Sequence, residues 1–377
     1  MGATSVIIAV AGAGKTEYIA QKIVAEPDLR RTMLLTYLTR NQIEDSARIV
    51  GKLDGREEYP RVVGWFSFLL NEIIRPYSKL CWPNIDVGSL CMDKPANLRY
   101  KKGSSRYFTR NGNVYSENLA QLAVKVIQAS NGAVINRLES IVDAIYIDEM
   151  QDLGGNDLVI LEILAASKIN LTIVCDPRQA VVHTSQSDTK YKKYRDDSVA
   201  DFFMEMEKDG KCTIEWKKET HRFTQEIAKF SDAVIKHSHT FPDTVSNVKS
   251  EGYSGLYIIN KDDVENYARK HHATVLRLNK NAGSFKDIEV ANFGECKGMT
   301  RRDVVILATR PIEEMLKSNA KLKPESARKL YVAVTRAQQS IAIAVSNPDI
   351  VYKSIISPLS VWYQYGFKLE CAAVESN

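Results

Sequence analysis

Long apolar runs are missing from this 377-residue sequence. No stretch approaches the ~20 consecutive apolar residues that a membrane helix needs, so no membrane partner is expected. The opening apolar run, Ser5 to Ala11, has no basic segment before it and ends in glycines and a lysine, which argues against a signal peptide. Cysteine is sparse as well. Cys81, Cys91, Cys175, Cys212, Cys296 and Cys371 are scattered and form no CxxC pair. That spacing excludes a disulfide scaffold and a zinc knuckle, and it fits reduced thiols in a cytoplasmic protein. The histidines lack ligand spacing: His237 and His239 are two apart, His271 and His272 are adjacent, and no cysteine stands at finger distance. Surface histidines are the plainer reading. An excess of charge of one sign is also missing. Fifty-one basic against 46 acidic residues leave +5, which permits an anionic partner without requiring one. With 44% apolar and 26% charged residues, the chain is neither disordered nor collagen-like nor a coiled coil. There is no internal repeat and no low-complexity tract, and the length suits two or three domains.

What is present is alternation. Short β-branched runs at Ser5–Val10, Thr32–Thr36, Arg61–Gly64, Ala144–Ile147 and Asn170–Val174 alternate with helical patterns at Thr16–Val24, from Asn41, at Ser67–Tyr77 and at Asp157–Ala166. Strands that are apolar throughout and separated by helices predict a parallel sheet covered on both faces. The pattern breaks between about 76 and 132, around Trp82-Pro83, Lys94-Pro95, Lys101-Lys102-Gly103 and Asn111-Gly112-Asn113, and that stretch reads as an insertion outside the core. A second break, 184–198, is polar and basic and predicts a domain boundary, giving domains of 1–190 and 191–377. Alternation then resumes. Strands are expected at Thr213–Trp216, Gly255–Asn260, Thr274–Leu278, Val304–Leu307 and Ile341–Val345, and helices at Val199–Lys208, Thr224–Lys236, Asp262–Lys270 and Pro324–Thr335. This is a second α/β unit.

Two motifs carry chemistry. Ala9-Val10-Ala11-Gly12-Ala13-Gly14-Lys15-Thr16 follows the first strand and opens the first helix. Small residues at Gly12, Ala13 and Gly14 let backbone N–H groups wrap a phosphate beside the positive end of a helix. Lys15 reaches the β- and γ-phosphates, and the Thr16 hydroxyl ligates magnesium. The alternative is a small-residue turn that binds nothing. Further on, Ile145-Tyr146-Ile147 runs into Asp148-Glu149-Met150-Gln151-Asp152. Acids at the carboxyl edge of a parallel sheet stand where ligands of such folds sit. Asp148 is assigned to magnesium and Glu149 to the proton of the attacking water. Read alone, the same run is a strand capped by a solvated acidic turn.

Together the two motifs resemble the superfamily 1 helicases of the UvrD/Rep type, and further segments match in order. Thr36-Tyr37-Leu38-Thr39-Arg40-Asn41 and Trp65-Phe66-Ser67-Phe68 resemble the single-strand-binding motif and its aromatic companion. Cys175-Asp176-Pro177-Arg178-Gln179 resembles the segment that couples hydrolysis to DNA. Thr220-His221-Arg222, Cys296-Lys297-Gly298-Met299 and Tyr331 to Ala337 are similar to the first arginine motif, the DNA–nucleotide bridge and the second arginine motif. The resemblance spans residues 5 to about 345. It implies two RecA-like parallel-sheet domains of the P-loop NTPase class, with a small insertion on the first. It also implies ATP and Mg2+ as cofactors, and catalytic roles for Glu149, Gln179, Arg222 and Arg336. By motif position Tyr37, Arg40, Trp65, Phe66, Phe68 and Lys297 would contact single-stranded DNA, which would cross the top of the two domains. Bland alternatives stand beside these roles. Read without the resemblance, Arg222 caps or pairs on its helix, Arg336 sits in a surface salt bridge, and Trp65 and Phe68 pack in the core. The stretches around Arg99–Lys102 and Lys190–Arg195 read equally as solvated loops.

Departures from the family shape the functional expectation. No glutamine segment precedes the first strand to read adenine. Val182 stands where the family stacks a base with an aromatic, and Thr300 where it binds ribose with a glutamate. Arg222 and Gly294 lie 72 positions apart, too few for the large accessory insertion of the second domain. The compact plan is similar to the short UvrD-like subunit of the Gabija antiphage system. It shares the Asp-Pro-Arg-Gln segment trailed by Lys190 to Tyr194, the Thr-His-Arg motif and Lys-Gly-Met-Thr. That resemblance implies a DNA-dependent ATPase or helicase working with a separate nuclease subunit on single-stranded or end-containing DNA. The second expectation is a nucleotide- and DNA-end-sensing ATPase that activates a partner nuclease without unwinding duplex.

Overall fold

The computed structural model describes residues 1–37, 39–93, 103–181, 190–235, 241–283, 285–318, 320–348, 359–363 and 366–368, with residues 39–40 and the last two segments described by backbone alone. The chain divides into two compact units: Met1–Ala9 with Lys15–Trp216, and Val10–Gly14 with Lys217–Asn377. The boundary expected at 190 falls inside the first unit.

In the first unit, strands β1 (Thr4–Ala9), β2 (Thr32–Thr36), β3 (Arg61–Gly64), β4 (Ala144–Ile147), β5 (Asn170–Cys175) and β6 (Thr213–Lys217) form one sheet in the order β3-β2-β4-β5-β1-β6. The β3-β2, β2-β4, β4-β5 and β5-β1 pairs are parallel. Ladder hydrogen bonds to β1 hold β6 to this sheet, which is why the first unit runs past residue 190. Burial explains the unbroken apolar strands. Val6, Ile7 and Ile8 of β1, and Ile145 and Ile147 of β4, are at most 3% exposed, as expected where helices cover both faces. The connections include helices α1 (Lys15–Val24) and α2 (Thr39–Val50). A helical segment from Trp65 turns π-helical over Leu69–Ile74.

Part of the expected insertion belongs to the core. Residues Leu119–Ala129 form α3, whose Leu119, Leu122, Ala123 and Val126 have no exposure. The helix packs on the π-helical segment and on α5 (Asn156–Ala165), with α4 (Ala133–Ile141) between them in sequence. The loop signals before 116 hid it, because its apolar period begins only at Leu119. Among its described residues the insertion also holds a small ladder pairing Leu90–Cys91 with Val114–Tyr115. Helix α6 (Val199–Lys208) has the bounds expected of it.

In the second unit, strands β7 (Glu219–Thr224) and β8 (Val245–Val248) form a parallel pair. A seven-stranded sheet is built from β9 (Gly255–Asn260), β10 (Thr274–Arg277), β11 (Val290–Asn292), β12 (Arg301–Leu307), β13 (Ala337–Val345), β14 (Leu359–Tyr363) and β15 (Gly366–Lys368). Its order is β11-β10-β12-β13-β9-β14-β15, parallel throughout except for the last pair. The nine-residue β13 is central, pairing Ile341 with both Leu256 and Val304. Helices α7 (Gln225–Ile235), α8 (Val264–His271), α9 (Arg310–Ser318) and α10 (Pro324–Val334) complete the unit. Strands β7 and β8 and helix α9 have no counterpart in the sequence expectations. Two α/β units of parallel sheet, one opened by a phosphate loop, are the RecA-like P-loop arrangement.

Deleting a buried side chain of α3 tests its place in the core. Leu122→Ala is expected to lower the unfolding free energy by about 2–4 kcal/mol, measured by urea denaturation. A change within the ±0.5 kcal/mol typical of surface sites would put the helix outside the core.

Candidate nucleotide site and its arginines

Parallel register assembles a polar edge on the first unit. Ile8 of β1 pairs with Cys175 of β5, Ile173 of β5 with Ile147 of β4, and Ile147 with Leu35 of β2. The carboxyl ends of four strands are therefore level. Lys15, Asp176, Asp148 and Tyr37 follow from them and gather on one edge, where ligands of open α/β sheets bind.

The polar groups at that edge are already joined. Lys15 Nζ donates to Ala9 O at 3.3 Å and lies 3.9 Å from Asp176 Oδ2. Gln179 Nε2 donates to Asp176 Oδ2 at 2.7 Å, and Arg178 Nε donates to Asp176 Oδ1 at 3.1 Å. Burial alone would push the Asp176 carboxyl up. The Arg178 and Lys15 charges and the Gln179 hydrogen bond outweigh it and hold the group below the usual carboxylate range. Thr16 Oγ1 donates to Asp148 Oδ2 at 3.3 Å, and the Glu149 amide donates to Asp148 Oδ1 at 2.8 Å. Burial and the adjacent Glu149 charge push Asp148 upward. A hydroxyl and a carboxylate oxygen side by side are hard donors, the set that suits magnesium when phosphate oxygens and waters complete its octahedron. Glu149 has a φ of +56°, a left-handed backbone rarely taken by a residue with a side chain and met most often at functional sites.

Two residues here carry roles that sequence reasoning missed. Gln151, 1% exposed, donates to Glu149 Oε2 and accepts from the Asp176 amide at 3.1 Å, tying the ends of β4 and β5 together. Its place between two acids was the available signal. Asp45 on α2 is 3% exposed, and its Oδ2 has no hydrogen-bond partner. Burial first, then the Asp148 and Glu149 charges, push its carboxyl up to about 8. No pattern in the sequence marks it, because helical period alone does not tell a buried Asp from a solvated one.

The second unit holds loop 10–14 and both arginines. Val10 N donates to Lys217 O at 3.0 Å, and Ala13 N donates to Val10 O at 3.2 Å. Thr220 Oγ1 donates to Ala11 O at 2.9 Å, His221 N donates to Gly12 O at 2.9 Å, and Ala11 N donates to the Tyr331 hydroxyl at 3.4 Å. The loop thus lies along β7. A Cβ on Gly12 would sit 2.5 Å from Arg222 Cβ and from Thr220 Oγ1, and the residue's φ of +78° also requires glycine. Arg222 is on a strand, so the helix-cap alternative does not apply. Its Nη1 donates to Thr335 O at 3.3 Å. Arg336 is 2% exposed, which removes the surface ion-pair alternative. It donates to Val332 O at 2.8 Å, Thr335 Oγ1 at 3.0 Å and Met299 O at 3.4 Å, the last within the Lys297 motif.

The expected DNA-contacting residues divide. Trp65 and Phe68 are 1% and 0% exposed, and Trp65 Nε1 donates to buried Asp157 at 2.7 Å. Both are core residues here, because the helix they open turns that face inward. Tyr37 and Phe66 are half-buried and meet edge to face at 5.6 Å. Lys297 is half-buried. The Arg40 side chain, Val182 and the stretch 99–102 lie outside the described residues. In the Lys190–Arg195 stretch the tyrosines are structural: Tyr191 donates to Glu162 at 2.5 Å, and Tyr194 is buried against Phe202.

Asp45 generates a pH prediction. Its folded pKa lies above the unfolded value near 4, so between pH 4 and 8 the native state binds more protons and this group costs stability as pH rises. Asp45→Asn is therefore expected to stabilise the protein by about 2 kcal/mol at pH 8 and by little at pH 4.5. Urea unfolding of both proteins at the two pH values checks it, and a gain independent of pH would contradict it.

Comparison with known proteins follows this geometry. Residues 99–190 match the model of the UvrD/REP helicase N-terminal domain, a segment that carries Asp148, Glu149 and Gln179 but not the phosphate loop. No curated protein matches the chain. Among solved structures, the PRRSV helicase is similar at TM-score 0.45 and 14% identity, over 91% of this chain and 52% of that one. Arterivirus nonstructural protein 10, a helicase solved with DNA, is similar at TM-score 0.45 and 10% identity, over 93% and 63%. This chain thus spans less than two thirds of either. No described helix is long and apolar enough to cross a membrane. The matched segment is therefore similar to part of a UvrD/REP helicase N-terminal domain.

Proposed function

We propose that this chain is a UvrD-like superfamily 1 motor, a DNA-dependent ATP hydrolase that serves a cytoplasmic antiphage complex beside a separate nuclease. One observation carries the enzymatic part: Lys15, Thr16, Asp148 and Asp176 gather at level strand ends, with Thr16 bonded to Asp148. The antiphage role and the nuclease rest on the short segments shared with the Gabija subunit, and the cytoplasmic placement on free cysteines.

The proposed roles are these. Backbone N–H groups of Gly12 to Thr16 and the start of α1 receive the phosphates. Lys15, poised against Asp176, moves its ammonium to the β- and γ-phosphate oxygens. Thr16 and Asp148 would hold magnesium, whose charge lowers the cost of the developing phosphate charge. Glu149 accepts the proton of the attacking water, steered by Gln151. Gln179 leaves Asp176 to meet the γ-phosphate. Arg222, whose Cβ packs beside Gly12, and Arg336 supply positive charge to the transferred group.

The burial of Trp65 and Phe68 favours a second reading, in which the chain senses nucleotide and DNA ends and activates the nuclease without displacing a strand. Fewer exposed aromatics leave fewer platforms for stepping along bases.

Steady-state ATP and GTP hydrolysis with and without single-stranded DNA is the test. DNA stimulation is expected, and its absence with and without a nuclease subunit would overturn the motor reading. Lys15→Ala and Glu149→Gln are each expected to abolish turnover. Arg336→Ala is expected to keep nucleotide binding and lose turnover by about 100-fold or more, the scale of one transition-state contact. Normal rates in these variants would remove the assigned roles.

A further inference from the structure

Thr335 stands where the two arginines meet. It caps α10 and has no exposure. Its carbonyl accepts from Arg222 Nη1 at 3.3 Å, while its hydroxyl accepts from Arg336 Nη2 at 3.0 Å. The hydroxyl proton is also used, donated to Tyr331 O at 2.9 Å. One residue therefore holds a guanidinium on its backbone and another on its side chain. Neither bond spends the arginine's charge, since both acceptors are neutral. The same helix touches the phosphate loop, because the Tyr331 whose carbonyl receives the Thr335 hydroxyl also accepts from Ala11 N through its own hydroxyl.

We propose that Thr335 is a positioning residue that yokes Arg222 and Arg336, so that both guanidinium groups are presented to the transferred phosphoryl group as one preset unit. The proposal rests on the reading of those arginines as transition-state groups. Preset donors need no reorganisation when charge develops, and that is the source of their effect. The plain alternative is a helix-capping hydroxyl, since back-bonding to the carbonyl four residues earlier is common for threonine.

Thr335→Val keeps shape and carbonyl and removes the hydroxyl. Thr335→Ser restores the hydroxyl. In the full chain, Thr335→Val is expected to lower kcat about tenfold with KM within about twofold, while Thr335→Ser stays close to wild type. The affinity for ADP with aluminium fluoride, a mimic of the transferred group, is expected to fall about tenfold in Thr335→Val, with affinity for ADP alone unchanged. Combined with Arg336→Ala, the valine variant is expected to add less than a further twofold, because its effect passes through that arginine. Thr335→Ala repeats the comparison if the valine variant does not fold.

A lower unfolding midpoint with unchanged kcat and unchanged fluoride-complex affinity would reduce Thr335 to a cap. Full additivity with Arg336→Ala would also overturn the yoke. Wild-type turnover and fluoride-complex affinity in both Arg222→Ala and Arg336→Ala would instead remove the arginine roles, a failure distinct from the first two.

Discussion

Asp176 follows β5 with no exposure to solvent, and several groups share its two oxygens. Gln179 and Arg178 hydrogen-bond to it, and the Lys15 ammonium stands 3.9 Å away. A buried carboxylate is costly unless paired, and an ammonium only 10% exposed carries the same cost. Each charge therefore makes the other tolerable. The arrangement gathers the Lys15 ammonium, the Arg178 guanidinium and the Gln179 amide around one carboxylate at the edge of the first sheet.

A phosphate loop normally reads as part of its own strand and helix. Here residues 10–14 group with the second unit, and their backbone groups are engaged by Thr220, His221, Tyr331 and Lys217. Strand β7, along which the loop lies, carries Arg222, and α10 leads into Thr335 and Arg336. Hydrogen bonds from neutral groups thus connect loop, helix and both arginines within one unit. Such bonds fix the geometry of the groups they join.

Much of this was readable in residues. The strands at 32–36, 61–64, 144–147 and 255–260 and the helix at 199–208 have the bounds that apolar runs and helical period predicted. The strand–loop–helix context of Lys15 and Thr16, and the acids after Ile147, marked one edge of the sheet. Other features were illegible because their signals are ambiguous. A Trp and a Phe three apart at a helix start face inward or outward with equal plausibility, and packing against Asp157 decided for inward. Strand β7 is polar in sequence, so nothing in its pattern announced the strand that carries Arg222. The helix at 119–129 followed a run of loop signals long enough to obscure it.

The sequence by itself determined the chemical inventory and its order: a phosphate loop opening a helix, two acids closing a strand, a glutamine after Asp176, and two arginines in later segments. Local patterns carry that information because a loop needs small residues and a buried parallel strand needs apolar ones. Tertiary structure alone decided which of these groups share partners. Asp45 standing near Asp148, Gln151 bridging two strands, and Thr335 holding two arginines all join residues brought together by register and packing. Proximity of that kind has no period and no motif, because it arises from the superposition of several strands and not from the order of residues in any one of them.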